Sequence, residues 1–541
     1  MTPQTAVFSA FWLLNVLVRV LKLGDKRLNA RVAAIAKACL AGSRCSLPVI
    51  AGREKGAVKG AQRLLSNKRV KLKDLRASIY EVTWEQAQLC KVLVVAFDPT
   101  LLDFSKQNQK KDRAVIGNGG GRGYTWLNSA AVDPVTGRFL GPLHQALVSA
   151  NGPDDMDVCD YVLGATKTKQ FTELLFNPKQ QFLAHALMVH QRAPEDMELV
   201  FVADREFDDG LALRVLVGLA KNRHFVIRAN DKRVVQVAPA PWLPANRKVP
   251  AKDGLPKWKD APEDRDQALL DIYVHDLVAA LPMQASRTLP LDPRGRVCPD
   301  GKDGVHEAQL SVGATRIRLA RQSKRGGKAG ISEVPVWLNL VVVRQTNAPM
   351  PGKKPLQWIL LTDLPIDTRE QIERVVDLYG CRWRIEEFFR TTKDTLKVEE
   401  SELDDAESTA RLLFFVTLKA MLLDRLRLEA GIAAGVPPTT QERKALEAGA
   451  QKAIKIEEER MATGKPPPPL SSRERATMTF GLIAYEGCWS SRNGDSLGNE
   501  ILLRGLRVFL TLLAFGHYAW LYDDDNRSHA ADADGREDVG S

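Results

Sequence analysis

Two stretches of this chain, KVLVVAFD (91–98) and MELVFVAD (197–204), are nearly unbroken apolar runs that each end in an aspartate. A run without polar alternation does not suit a strand with one wet face. It reads as a strand covered on both sides, as in a parallel sheet flanked by helices. A carboxylate at the end of such a strand is costly to bury without a partner. Asp98 and Asp204 are therefore candidate cation ligands, although a strand-end turn residue explains either one taken alone. The fold class that follows is α/β.

The rest of the chain arranges itself around these strands. Helical periodicity fills DKRLNARVAAIAKACLAG (25–42), opened by Asp25 and ended by Gly42, then EKGAVKGAQRLLSN (54–67) and KLKDLRASIYEVTWEQAQ (71–88). Beyond Asp98, YTWLNSAAVD and RFLGPLHQALV flank PVTG and read as a hairpin. TKQFTELLF, FLAHALMVHQ and LALRVLVGLAKN read as helical, and HFVIRAN as a short strand. Residues 232–355 hold alternating segments such as QLSVGATRIRLA and VWLNLVVVR among prolines and glycines, a β-rich insertion. PLQWILLTDLP restores a core strand, and IDTREQIERVVDLYGCRWRIEEFFRTTKDTL reads as one long helix. Helical segments continue to about residue 430. A polar linker ends in GKPPPP (464–469), a stiff spacer. RATMTFGLIAYEGCW and GNEILLRGLRVFLTLLAFGHYAWL form a C-terminal helical region, whose last helix is either an oligomer interface or core. The domain boundaries expected are 1–90 (helical, N-terminal), 91–231 with 356–430 (core), 232–355 (insertion), 431–522 (C-terminal helices) and 523–541, an acidic disordered tail.

Charge is distributed unevenly. Of the 541 residues, the first 90 carry 16 Lys and Arg against 5 Asp and Glu, and the rest carry 61 of each kind. The whole net charge of +11 thus belongs to the N-terminal sixth. Such concentration attracts a polyanion, because each neutralised phosphate releases a condensed counterion; a solvated basic face is the alternative. Arg27, Arg31 and Arg63, with Lys26 and Lys59, would present that face to DNA. Seven scattered cysteines without a CxxC pair suggest neither a disulfide framework nor a zinc ribbon, and a reducing compartment fits. The apolar stretch VFSAFWLLNVLVRVL (7–21) lacks a basic leader and is too short to span a bilayer, so it reads as a buried or partner-facing helix and no membrane is expected. The glycine-rich GNGGGRGYTW (117–126) lacks the Gly-Lys-Ser/Thr of a phosphate loop and reads as a flexible connection. Serine or cysteine nucleophile chemistry has no motif, and the eight histidines are dispersed.

YGCRWRIEEFFRTTK (379–393) mixes acids, cations and aromatics. At about 100° per residue, Tyr379, Arg382, Glu386, Arg390 and Lys393 share roughly 80° of helix arc. Ile385, Phe388, Phe389 and Leu396 take a neighbouring, core-facing arc, while Gly380, Glu387, Thr391 and Asp394 point to solvent. The cationic stripe is about 21 Å long, enough to follow about six phosphates. An exposed helix laced with i,i+4 pairs is the plainer reading. With Asp98 and Asp204, however, Glu386 completes a set of three acids able to hold two Mg²⁺ ions about 3.5–4 Å apart for phosphoryl transfer.

The spacing of Tyr379, Arg382, Glu386 and Lys393 is Y-(2)-R-(3)-E-(6)-K. It resembles the signature of the insertion-sequence-four group of DDE transposases, typified by the transposon-five enzyme. LGDKRLNARV and KGAQRLLSN look like that group's DNA-binding domain, FDPT and ADREFD like its two aspartate motifs, and PLQWILLT like the strand ahead of its signature helix. The resemblance implies a ribonuclease-H-like catalytic core with a β-rich insertion, plus N-terminal and C-terminal helical domains. It makes Asp98, Asp204 and Glu386 the catalytic, metal-binding triad, using two Mg²⁺ ions for which Mn²⁺ substitutes. Tyr379, Arg382 and Lys393 would contact DNA phosphates, Trp358 would stack on a flipped base unless it is core, and Arg228 would match a DNA-contacting arginine. The implied protein is a cut-and-paste transposase in the bacterial cytoplasm, associated with the nucleoid. It would work as a homodimer on double-stranded inverted-repeat ends and target DNA, cleaving the ends through a hairpin intermediate and joining the freed 3′-OH ends to the target. A related endonuclease and a domesticated, non-catalytic DNA-binding protein are the other readings. Pro99 stands where a hydroxyl residue is usual, and the chain past residue 430 aligns loosely.

Overall fold

The structure is a computed structural model. It describes residues 17, 19–41, 48, 55–117, 119–154, 178–243, 269–291, 306–319, 336–429, 440–468, 470, 472–486, 505 and 508. The chain divides into two compact units, one of Met1–Val82, Asp103–Arg113 and Glu387–Ser541, the other of Thr83–Leu102 and Ala114–Glu386.

In chain order the first elements are helices α1 (Lys26–Ala41), α2 (Lys55–Leu65) and α3 (Leu72–Ala87). Strands β1 (Val92–Asp103), β2 (Ala114–Ile116), β3 (Gly121–Asp133), β4 (Arg138–Ser149) and β5 (Gly152–Pro153) follow. Next come α4 (Pro178–Arg192), β6 (Glu198–Ala203), α5 (Gly210–Val217), β7 (Arg223–Arg228), β8 (Val234–Val237), β9 (Leu270–Tyr273) and α6 (Val274–Ala280). β10 (Gln284–Leu291), β11 (His306–Leu319), β12 (Trp337–Gln345) and β13 (Gln357–Thr362) complete the strands. The remaining helices are α7 (Arg369–Gly380), α8 (Trp383–Arg390), α9 (Ala406–Glu429), α10 (Thr440–Thr463) and α11 (Ser472–Glu486).

The second unit is built on one sheet ordered β5-β4-β3-β1-β6-β7-β13-β12-β11-β8-β9, with β10 beside β11 and β2 beside β3. β1, β6 and β7 run parallel, while β3 and β4 form the expected antiparallel hairpin. The apolar runs explain the parallel centre: Leu93 to Phe97 and Leu199 to Ala203 are all buried. Phe97 packs edge-on against Phe207 at 4.9 Å and tilts against Phe182 of α4 at 5.1 Å, which covers one face near the strand ends. Strands β8 to β12 supply the β-rich stretch between Asp204 and Glu386.

The described part of the first unit is mainly helical, and Arg411 and Lys419 of α9 are among its buried cations. Arg411 of α9 is 1% exposed and donates to the carbonyls of Leu65 (2.7 Å) and Val70 (2.9 Å), satisfying groups left open at and beyond the end of α2. Lys419 does the same for Cys39 O near the end of α1, at 2.8 Å. α10 and α11 approach closely: a Cβ on Gly481 would lie 2.4 Å from Leu446 O.

Three expectations need correction. The long helix over the signature is broken. Cys381 N–H still reaches Asp377 O, but Arg382, Arg384 and Ile385 donate three residues back, to Tyr379, Cys381 and Arg382, which tightens one turn before α8. A wider turn follows at Thr391–Thr395, closed by Leu396 N–H to Thr391 O at 2.9 Å. Both departures change the angular step, so Thr391 is buried rather than facing solvent, Gly380 and Glu387 are half-buried, and Tyr379 is buried. The polar linker before GKPPPP contains α10, whose Leu446, Ala450 and Ala453 are buried despite its charged sequence. The second half of the glycine-rich stretch is β3 rather than loop, and β2 pairs along it from Gly121 to Gly123.

The apolar stretch 7–21 (but for a few positions), Gly42, TKQFTELLF, most of 498–521 and the acidic tail lie outside the described residues. Among those described, no helix is long and apolar enough to cross a membrane.

Candidate active site

The strand register brings the two aspartates together. β1 and β6 pair from Val92↔Glu198 to Ala96↔Val202, a constant offset of 106 residues. That offset runs towards Asp98 and Asp204, two residues beyond the last pair, and Asp204 is near enough to be among the charges that raise the Asp98 carboxyl. Asp204 closes β6 and caps the short 3₁₀ turn Arg205–Phe207, its Oδ1 accepting Arg205 N–H at 2.7 Å. The loop after it is fastened by a buried pair: Asp208 Oδ2 accepts Arg233 Nε at 2.9 Å and Asn230 N–H at 2.8 Å, and Arg233 Nη2 lies 2.7 Å from Asp208 Oδ1. Both charges are paired and hydrogen-bonded, the condition under which burying them is tolerable.

Glu386 arrives on α8, and Arg382 ties it to Asp98. The Arg382 guanidinium donates to Asp98 Oδ2 at 3.3 Å through Nη1 and to Glu386 Oε1 through Nη2. One planar fork therefore spans two carboxylates contributed by a strand and a helix. Its side chain is 13% exposed, against 16% for Asp98 and 30% for Glu386. Burial pushes the Asp98 carboxyl up to about 7; Arg382 opposes this, and Glu386, Glu206 and Asp204 reinforce it. For Arg382, burial works against the cation, but Tyr379, Asp98, Glu386 and Asp204 together hold its pKa above the usual range.

The remaining candidates in this unit surround the acids. Arg228 ends β7 with Nη1 3.6 Å from Asp204 Oδ1, a loose and partly exposed pair. Tyr379 is buried with its ring 5.9 Å from the Arg382 guanidinium carbon, and burial raises its phenol pKa. Trp358, half-buried in β13, meets Tyr379 edge-on at 5.2 Å. Thr368 opens α7 with a reciprocal cap to Gln371. β10 grips the same helix through Ser286 Oγ to Glu373 (3.0 Å) and Arg287 to Asp377. The insertion thus braces the helix that leads into the signature residues.

Four candidates belong to the helical unit. Arg27, Arg31 and Arg63 are exposed. A Cβ on Gly60 of α2 would lie 4.0 Å from Arg31 Cζ, so the Arg31 side chain reaches from α1 to α2. Lys393 lies in the wide turn after α8 and pairs with Glu399 at 3.3 Å, the same carboxylate that accepts Asp103 N–H at 2.7 Å.

Glu206 is the acid that motif reading passed over. It sits two residues after Asp204 in ADREFD, and partial burial followed by Asp204 raises its pKa. Its signal was the second carboxylate in that motif. Among the described residues, no three His, Cys, Asp or Glu side chains converge as a ready metal site. The donor set still suits a hard divalent ion, since it offers carboxylate oxygens alone. Arg382 holds a positive charge between Asp98 and Glu386, where an ion bound by both would compete with it.

This arrangement of acids on adjacent parallel strand ends and a following helix, with arginines among them, defines a candidate phosphoryl-transfer site. Residues 180–422 match the family described as "Transposase DDE domain", a span that includes Asp204 and Glu386 and begins after Asp98. Residues 13–70 match "Transposase DNA-binding". Together the two matches support a DNA-binding DDE transposase. Among solved structures, the chain is similar to a "Cryo-EM structure of piggyBac transposase synaptic complex with hairpin DNA (SNHP)". The identity is 8% and the TM-score 0.32, over 99% of this chain and 87% of that one, a likeness too slight to argue from.

Proposed function

We propose that this chain is a cut-and-paste DNA transposase, which binds transposon ends, cleaves them and joins the freed 3′-OH ends to target DNA. The observation that carries the reading is that Arg382 engages Asp98 and Glu386 at once, with Asp204 near enough to act on the Asp98 carboxyl. The two family matches and the concentration of positive charge before residue 91 support it.

Asp98, Asp204 and Glu386 would hold two Mg²⁺ ions, which Mn²⁺ can replace. When bound, such ions supply activation of the attacking oxygen and neutralise charge on the leaving one. The chain's own contribution is positioning. Arg382, Arg228 and Lys393 would take DNA phosphates, and the buried Tyr379 would support Arg382 from beneath. Trp358 offers an aromatic edge near Tyr379 for a base extruded during a hairpin step; stacking of this kind is worth about 1–3 kcal/mol per base. The exposed cations of α1 and α2 would bind the duplex backbone. The working species would be a homodimer pairing two ends around a ribonuclease-H-like core.

A supercoiled plasmid carrying the element's own flanking sequences tests the proposal. Incubation with Mg²⁺ should yield excised element and strand-transfer products. Cuts without joining would instead identify an endonuclease, and binding without cuts a non-catalytic DNA-binding protein.

A further inference from the structure

Arg382 occupies the carboxylates of Asp98 and Glu386, two of the residues that would hold a divalent ion. Its fork engages both carboxylates at once, through different nitrogens, and is itself largely buried. The position is set by the backbone: the tightened turn at Cys381–Ile385 places Arg382 between α7 and α8, with its own N–H held by Tyr379 O at 3.0 Å. A buried ion pair is weak evidence for a role in stability alone, because desolvation offsets much of its Coulomb energy. The pairing instead gives an acidic pocket a resident counter-cation.

We infer that Arg382 is an internal competitor for the divalent ion, holding Asp98 and Glu386 until DNA draws it away. The inference rests on the proposed two-metal site and adds an order of events to it. In the DNA-free protein an ion must displace the guanidinium from two charge-assisted hydrogen bonds. A DNA phosphate accepts the same fork and frees both carboxylates. Ion and DNA therefore bind cooperatively, and the protein without DNA holds its ions weakly. Such coupling is reciprocal.

The test is Mn²⁺ affinity, measured by calorimetry on the full chain without DNA and again with a saturating mixed-sequence duplex. Arg382→Gln keeps hydrogen-bonding capacity but removes the charge. It should bind Mn²⁺ at least about tenfold more tightly than wild type in the absence of DNA, the equivalent of one charge-assisted hydrogen bond. Arg382→Lys keeps the charge without the two-pronged fork and should fall between them. Duplex should tighten Mn²⁺ binding to wild type and have little effect on Arg382→Gln. Circular dichroism checks folding, and the wild-type measurement with and without duplex stands independently of either variant. Equal or weaker Mn²⁺ binding by a folded Arg382→Gln, or a wild-type affinity that duplex leaves unchanged, overturns the inference while sparing the metal site. Absence of Mn²⁺ binding in every sample overturns the inference and the two-metal reading together.

Discussion

Replacing Asp98 by Asn should make the metal-free protein more stable while abolishing its chemistry. The Asp98 carboxyl is pushed from 3.8 to about 7, chiefly by burial. Between those values the folded chain keeps a proton that the unfolded chain releases. Wild-type stability therefore falls as pH rises through this window and levels off above it. A displacement of roughly three pH units at about 1.36 kcal/mol each bounds the cost of the ionised carboxylate at about 4 kcal/mol. The attraction of Arg382 is already contained in that displacement, and the asparagine amide oxygen can still accept from the guanidinium. A net gain of up to about 4 kcal/mol at pH 8 follows. Calorimetry in a chelating buffer should show the transition of the sheet-bearing unit rising by a few degrees, at about 2–4 °C per kcal/mol. The two proteins should converge towards pH 4. A variant that melts below wild type at pH 8, or a gap that does not change with pH, would refute the reasoning.

Further expectations concern the signature helix, the basic face and the helical unit. Glu386→Gln should reduce plasmid cleavage by at least about 10³-fold with end binding retained, a loss of about 4 kcal/mol of transition-state stabilisation, whereas Glu387→Gln should retain most activity; equal losses would remove the distinction between the two glutamates. Substituting Arg27 and Arg31 together by Gln should weaken end binding in gel-shift titrations. It should also flatten the dependence of log K on log salt by up to about 1.8, at roughly 0.9 per phosphate contact, and an unchanged slope would exclude both from the interface. Arg411→Leu strands the carbonyls of Leu65 and Val70. It should cost the helical unit about 2–6 kcal/mol, at about 1–3 for each stranded carbonyl, read as a lowered melting transition, while Arg411→Lys should recover part.

The central strands were legible because burial on both faces leaves a continuous apolar run, and the aspartates ending those runs could be picked out by position. Their juxtaposition needed the register, which no local pattern carries. The signature helix was misread because a wheel assumes a constant angular step. The chain instead tightens at Cys381–Ile385 and widens at Thr391–Thr395 without a proline to mark either change. Helix α10 escaped notice because its contact with α11 uses alanine, leucine and glycine rather than a broad apolar stripe. The link from Arg382 to Asp98 joins residues 284 positions apart and was beyond any helix-face argument. Motif spacing located Glu386 and Arg382 together, but not the hold of Arg382 on Asp98.

The central claim is that Asp98, Asp204 and Glu386 close around shared divalent ions when DNA is bound. Its most direct test is the anomalous scattering of Mn²⁺ in crystals of the protein with a cleaved transposon end. The account predicts manganese bonded to carboxylate oxygens of all three residues at about 2.0–2.2 Å, close to the octahedral distances of Mg²⁺. Manganese bound elsewhere, with any of the three carboxylates outside its coordination shell, would contradict it.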